Sequence, residues 1–201
     1  MMNPTLLLFL LFFSINNFGL TLPDAKVYFA EKQIDRVLPH SVKEKEDIIP
    51  WSAERRLNWE DFLSPPQRNT DAVASTSTSL GLAYQVKNYK LNYQITCNFS
   101  KSKSWGAKKT PYILAHEQGH FDITELYARK LHKALLEYKF NRNTFKSDLD
   151  TIYQTLAKQK EAFQNGYDEE TDHSRKKAIQ MQWLVTIRTL LEETKEYSAY
   201  P

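Results

Sequence analysis

Between residues 90 and 99 the chain alternates apolar and polar side chains, with Leu91, Tyr93, Ile95, Cys97 and Phe99 recurring every second position. That period of two belongs to a strand with one buried face and one wet face. The stretch before it, residues 72–86, is rich in small and β-favouring residues, and Asn88 separates the two, so residues 71–105 read as strands. From Thr110 the period changes. Thr110-Pro111 places a hydroxyl at a helix N-cap and a proline in the first turn. Ile113, Leu114, Phe121, Leu131, Leu135 and Leu136 then supply an apolar face for a helix from Pro111 to about Phe140. A second helix is expected from about Thr144 to Asn165 on Phe145, Leu149, Ile152, Leu156 and Phe163, with Gly166 as its C-cap. A third begins near Ser174, carries Ile179, Trp183, Ile187 and Leu190, and fades by Tyr197. Strands followed by helices make an α+β fold, a small antiparallel sheet packed on about three long helices.

The part ahead of the strands divides differently. Thr5 to Ile15 is a compact apolar run followed by the polar Asn16-Asn17, which matches the core of a signal peptide over residues 1–20 with cleavage near residues 19–21. The run is shorter than the ~20 residues a spanning helix takes, and no later segment is apolar enough to cross, so the mature protein is expected to have no membrane span and to act in a secreted or periplasmic setting. Residues 21–50 are mixed, broken by Pro39 and Pro50, and read as an N-terminal segment ahead of one domain over residues 51–201. Trp51, Trp59 and Phe62 stand in polar surroundings and read as anchors that pin a connecting segment to the core.

Charge narrows the function classes. The formal net charge is only +3, and Lys and Glu interleave through the helical stretches, so nothing resembles the basic stripe of a nucleic-acid binder. The cluster Lys101, Lys103, Lys108 and Lys109 reads as a solvated loop. Cys97 is the single cysteine, which excludes an intrachain disulfide and a cysteine-based zinc knuckle, and its place in the alternating strand makes it a buried residue.

The densest chemistry lies in His116-Glu117-Gln118-Gly119-His120, an H-E-x-x-H pattern inside the first expected helix. At about 100° per residue the two histidines stack one turn apart on one face, where two imidazoles grip one zinc ion. Glu117 follows the first and can act as general base toward a water without being consumed as a ligand. Gly119, a poor helix former, points to a close approach by something else.

A catalytic zinc usually takes three protein ligands and leaves one position open. His132 is too far along the same helix, about 18 Å of rise from His120, and His40 has no supporting context. His173, in the polar stretch 167–174 between two helices, is the first choice, with Asp168, Glu170 and Asp172 as carboxylate rivals. Tyr167 is the candidate to stabilise the oxyanion that develops on a cleaved amide. Asp122 and Glu125 project away from the histidine pair and are assigned supporting or surface roles.

Trp59-Glu60-Asp61-Phe62, Ser104-Trp105, the run from His116 to Ile123, and Tyr167-Asp168 with Thr171 and His173 together resemble a bacterial family of predicted secreted zinc-dependent proteases, a domain of unknown function. The similarity runs from about Trp51 to the third helix. It implies a zincin-like metallopeptidase with the H-E-x-x-H helix central, one Zn2+, His116 and His120 as ligands, Glu117 as base, and a protein or peptide as substrate. The rival readings are a zinc-binding domain that catalyses nothing and an envelope module that holds a partner.

Overall fold

The computed structural model describes residues 47–88 and 90–201, together with the backbone of residues 26–29. The segment expected to be a signal peptide, its expected cleavage region and His40 lie outside the described residues. Among the described residues six strands and three α-helices follow one another: β1 (Lys26–Phe29), β2 (Ile48–Pro50), β3 (Ala74–Ser75), β4 (Thr78–Lys87), β5 (Lys90–Ser100), β6 (Trp105–Gly106), α1 (Pro111–Glu137), α2 (Phe145–Thr171) and α3 (Lys177–Glu193). The class is α+β, as the order of elements implies. Among the described residues no helix is long and apolar enough to cross a membrane.

β4 and β5 form the hairpin that the alternating pattern demands, paired from Thr78↔Phe99 to Lys87↔Lys90. Asn88 turns the chain at a φ of 51°, a left-handed value that asparagine tolerates better than most residues. Leu80, Leu82 and Tyr84 of β4 and Ile95, Cys97 and Phe99 of β5 share one buried face. The edge strands come from the segment read as preceding the domain: β1 pairs antiparallel with β4 and β2 with β5, giving the order β1-β4-β5-β2. A domain boundary at residue 51 therefore cuts through the sheet. β3 and β6 form a separate two-stranded ribbon.

α1 lies between the sheet and the other two helices. Thr110 caps it by accepting from the Ile113 N–H, with Pro111 at the start. From His116 to Arg129 every residue is buried, so this helix has no wet face over nearly four turns. Ile113, Phe121, Leu131 and Leu135 are in the core as expected, whereas Leu114 is only partly covered and Leu136 is exposed. The connecting segment is pinned by its aromatics. Trp59 packs 4.9 Å from Phe62, ring to ring, and presses on Gly106, where a Cβ would stand 2.5 Å from the indole.

The second helix departs most from expectation. It does not stop at Asn165 but continues through Gly166 to Thr171 and ends at Asp172, a left-handed C-cap whose N–H bonds back to Asp168 and Glu169 carbonyls. A glycine inside a helix costs about 1 kcal/mol against alanine. Burial of Tyr167 and Thr171 beyond it offsets that cost. Tyr167 and Asp168 thus sit on a rigid helix rather than in a loop.

Leu126 and Leu131 have 0% exposure, whereas Met181 is 57% exposed on α3. Leu126→Ala is expected to lower unfolding free energy by about 2–5 kcal/mol in urea titrations. Met181→Ala should stay within about 0.5 kcal/mol.

Candidate metal centre

One face of α2, carrying Gln164, Tyr167, Asp168 and Thr171 at positions three and four apart, is laid against the H-E-x-x-H turn of α1. Asp168 Oδ1 sits 3.1 Å from His116 Nε2 and 3.1 Å from His120 Nε2. One donor atom from each of the three residues lies within 4.8 Å of the other two. The two imidazole rings are 5.0 Å apart and nearly perpendicular, at 84°. Two nitrogens and one carboxylate oxygen are a donor set that divalent transition metals accept, zinc among them.

The two histidines are held by different means. Tyr167 stacks on the His116 ring at 4.5 Å and 21°, meets His120 edge-on at 5.1 Å, and donates its hydroxyl to the His116 carbonyl at 3.3 Å. Gly119 makes room for it, because a Cβ there would stand 2.6 Å from the Tyr167 oxygen. The close approach expected at this glycine is a tyrosine from the neighbouring helix. His120 is fixed by a hydrogen bond: Gln164 Oε1 accepts from its Nδ1 at 3.1 Å, while its Nε2 faces Asp168 Oδ1 at 3.1 Å. The Gln164 amide is itself tied to Thr124 Oγ1 at 3.2 Å, and Thr124 donates to the His120 carbonyl.

The electrostatics separate the two carboxylates. Burial raises Asp168 in principle, but its hydrogen bonds to both imidazoles dominate and hold it well below the usual carboxylate range. Glu117 is pushed up by burial, only partly countered by the charges of His120 and His116. The acid at one corner of the donor triangle is thereby shifted down and the one beside it shifted up. Burial lowers His120, yet Asp168 and Glu117 outweigh it and the net direction is upward.

A cleft of about 250 Å³ opens over this group. His116, Glu117, His120 and Asp168 line it, residues 72–76 and Trp105 form one wall, and Gln164, His173 and Ser174 form another. The structure thus sorts the residues singled out in the sequence. His116, Glu117 and His120 come together. Asp168 occupies the third place, where His173 was the first choice: the His173 side chain is 59% exposed at the rim, its Nδ1 3.7 Å from Asp168 Oδ1 and outside the cluster. Glu170 accepts from Trp183 Nε1 and Asp172 pairs with Arg175, so neither rival acid joins. Tyr167 is not placed for an oxyanion role, since it has 0% exposure, does not line the cleft and spends its hydroxyl on the His116 carbonyl. The back of the motif helix is bolted to residues 51–57. Asp122 accepts from Trp51 Nε1, from Gln118 Nε2 and from Arg56, and Gln118 Oε1 accepts from the Leu57 N–H.

Residues 32–174, well over half of the chain, match the family described as "Bacterial protein of unknown function (DUF922)". The chain belongs to the DUF922 family. The matched span of this DUF922 chain contains every residue that lines the cleft and stops at Ser174, before α3. No curated protein and no solved structure matches it.

The two helical glycines give a paired test. Gly166→Ala meets no atom within 4 Å and should raise stability by a few tenths to about 1 kcal/mol. Gly119→Ala collides with Tyr167 and should instead cost about 1–3 kcal/mol. Urea midpoints read both, and a gain at Gly119 would contradict the packing. Gln164→Leu, which removes the partner of His120 Nδ1, is expected to weaken metal affinity about 10–100-fold in a chelator competition with little change in fold.

Proposed function

We propose that this DUF922 chain is a zincin-like, zinc-dependent metallopeptidase acting outside the cytoplasm. The observation that carries the reading is the convergence of His116 Nε2, His120 Nε2 and Asp168 Oδ1 at the floor of an open cleft, with Glu117 beside them and not among them. A set of two imidazoles and one carboxylate, with the fourth direction left to the cleft, suits a catalytic zinc better than a closed structural one. When bound, such an ion supplies Lewis-acid polarisation of a carbonyl and makes a water acidic enough to attack near neutral pH.

The protein groups divide the remaining work. Asp168 and the two histidines hold the ion, and Tyr167 and Gln164 hold the histidines. Glu117, raised by burial, takes the proton from the attacking water and delivers it to the leaving amine, so the carboxylate is restored at the end of the cycle. Export rests on the apolar run from Thr5 to Ile15.

Metal analysis of the purified mature protein is expected to find about one zinc per chain, lost in His116→Ala, His120→Ala and Asp168→Ala. Glu117→Gln should keep the zinc and the fold while hydrolysis of a mixed fluorogenic peptide set falls by about 10²–10⁴. Undiminished turnover in Glu117→Gln removes the base assignment. Zinc retained in Asp168→Ala but lost in His173→Ala restores His173 as the ligand.

A further inference from the structure

Hydrolysis of an amide places negative charge on the carbonyl oxygen, and enzymes meet that charge with a donor fixed in advance. Tyr167 is shut away from the cleft and its hydroxyl is committed. The Gln164 amide is committed to His120 and Thr124. From the turn that follows α2, His173 presents a nitrogen donor at the cleft wall, its Nδ1 3.7 Å from Asp168 Oδ1. It is close enough to the donor triangle to reach a group bound there, yet it is not part of the triangle.

The backbone beneath it supports the assignment independently. Asp172, His173 and Ser174 have φ of 50°, 48° and 70°, three successive left-handed residues without a glycine. Each costs roughly 1–2 kcal/mol. The first is an ordinary helix C-cap, but ending α2 does not require the second and third. The turn is nevertheless pinned: the His173 N–H donates to the Asp168 carbonyl at 2.8 Å, Tyr112 donates its hydroxyl to the Ser174 carbonyl at 2.7 Å, and Arg175 donates to the Asp71 carbonyl at 3.1 Å. A glycine at 173 would relieve the strain, and a side chain 59% exposed contributes little packing in return. Strain held in place by surrounding bonds and presenting one side chain to a cleft is a mark of a working residue.

We propose that His173 is a catalytic residue whose imidazole N–H donates a hydrogen bond to the substrate carbonyl oxygen as that oxygen becomes an oxyanion. It keeps its proton throughout, so Glu117 carries all proton transfer. This assignment rests on the peptidase reading above. The substrate class it implies is an amide presented to the cleft by its carbonyl.

The test compares zinc-loaded wild type with His173→Ala and His173→Gln. Calorimetric binding of a phosphinic peptide, whose tetrahedral P–O⁻ imitates the oxyanion, should weaken about 10–100-fold in His173→Ala and recover in part in His173→Gln. The kcat on peptides should fall about 10²–10³-fold with KM, zinc content and melting temperature nearly unchanged. Zinc lost from His173→Ala makes it a ligand and overturns the proposal. So does phosphinate binding equal to wild type, or absent from both. Glu117→Gln separates the two claims: hydrolysis lost there but intact in His173→Ala defeats only the oxyanion role, whereas a wild type that hydrolyses nothing defeats the peptidase reading, and phosphinate binding then decides His173 alone.

Discussion

A helix buried on every side has no solvent face on which to leave a polar group unpaired, and α1 is such a helix from His116 to Arg129. Its polar side chains draw partners from the helix itself and from the surrounding elements, except His116 Nδ1, which is buried without one. Gln118 and Asp122 hold residues 51–57, Thr124 meets Thr78 of β4 at 2.7 Å, and Glu125 takes Arg129 and Tyr200. Arg129 reaches on to the Leu191 carbonyl at the end of α3. The histidines take Asp168 and Gln164 of α2. The fold is organised outward from these pairings, because each unmade bond would leave a desolvated group costing about 1–3 kcal/mol.

That constraint links packing to the site. Gly119 is small so that Tyr167 can lie over both histidines, and Tyr167 can lie there because α2 continues past Gly166. The same continuation aims Asp168, one residue later, at the two Nε2 atoms. The donor triangle and the residues that hold it thus come from two packed helices, without a contribution from a loop.

The legible parts of this arrangement are local in sequence. The alternation through β5, the cap at Thr110, the burial of Cys97 and the anchoring by Trp51 and Trp59 each follow from a few neighbouring residues. The pairing of His116 with His120 is a property of one helical turn. Asp168 was visible only as one acid among several, because its selection depends on α2 running on through a glycine, and local propensity argues for a stop there. His173 looked like a ligand by residue type, yet the left-handed turn at 172–174 sets it at the rim. The edge strand β1 is legible only as a short segment open to strand or helix, and β2 is three residues ending on Pro50; pairing with the central hairpin makes both strands.

The proposed function requires that three side chains from two helices close on one divalent cation while a fourth, Glu117, stands free beside it. The most direct measurement is a crystal structure of the zinc-loaded protein with data collected at the zinc absorption edge. An anomalous peak contacted by His116 Nε2, His120 Nε2 and Asp168, with Glu117 not coordinating, is the expected result. A peak ligated by Glu117, a peak elsewhere in the molecule, or no peak at this site would contradict it.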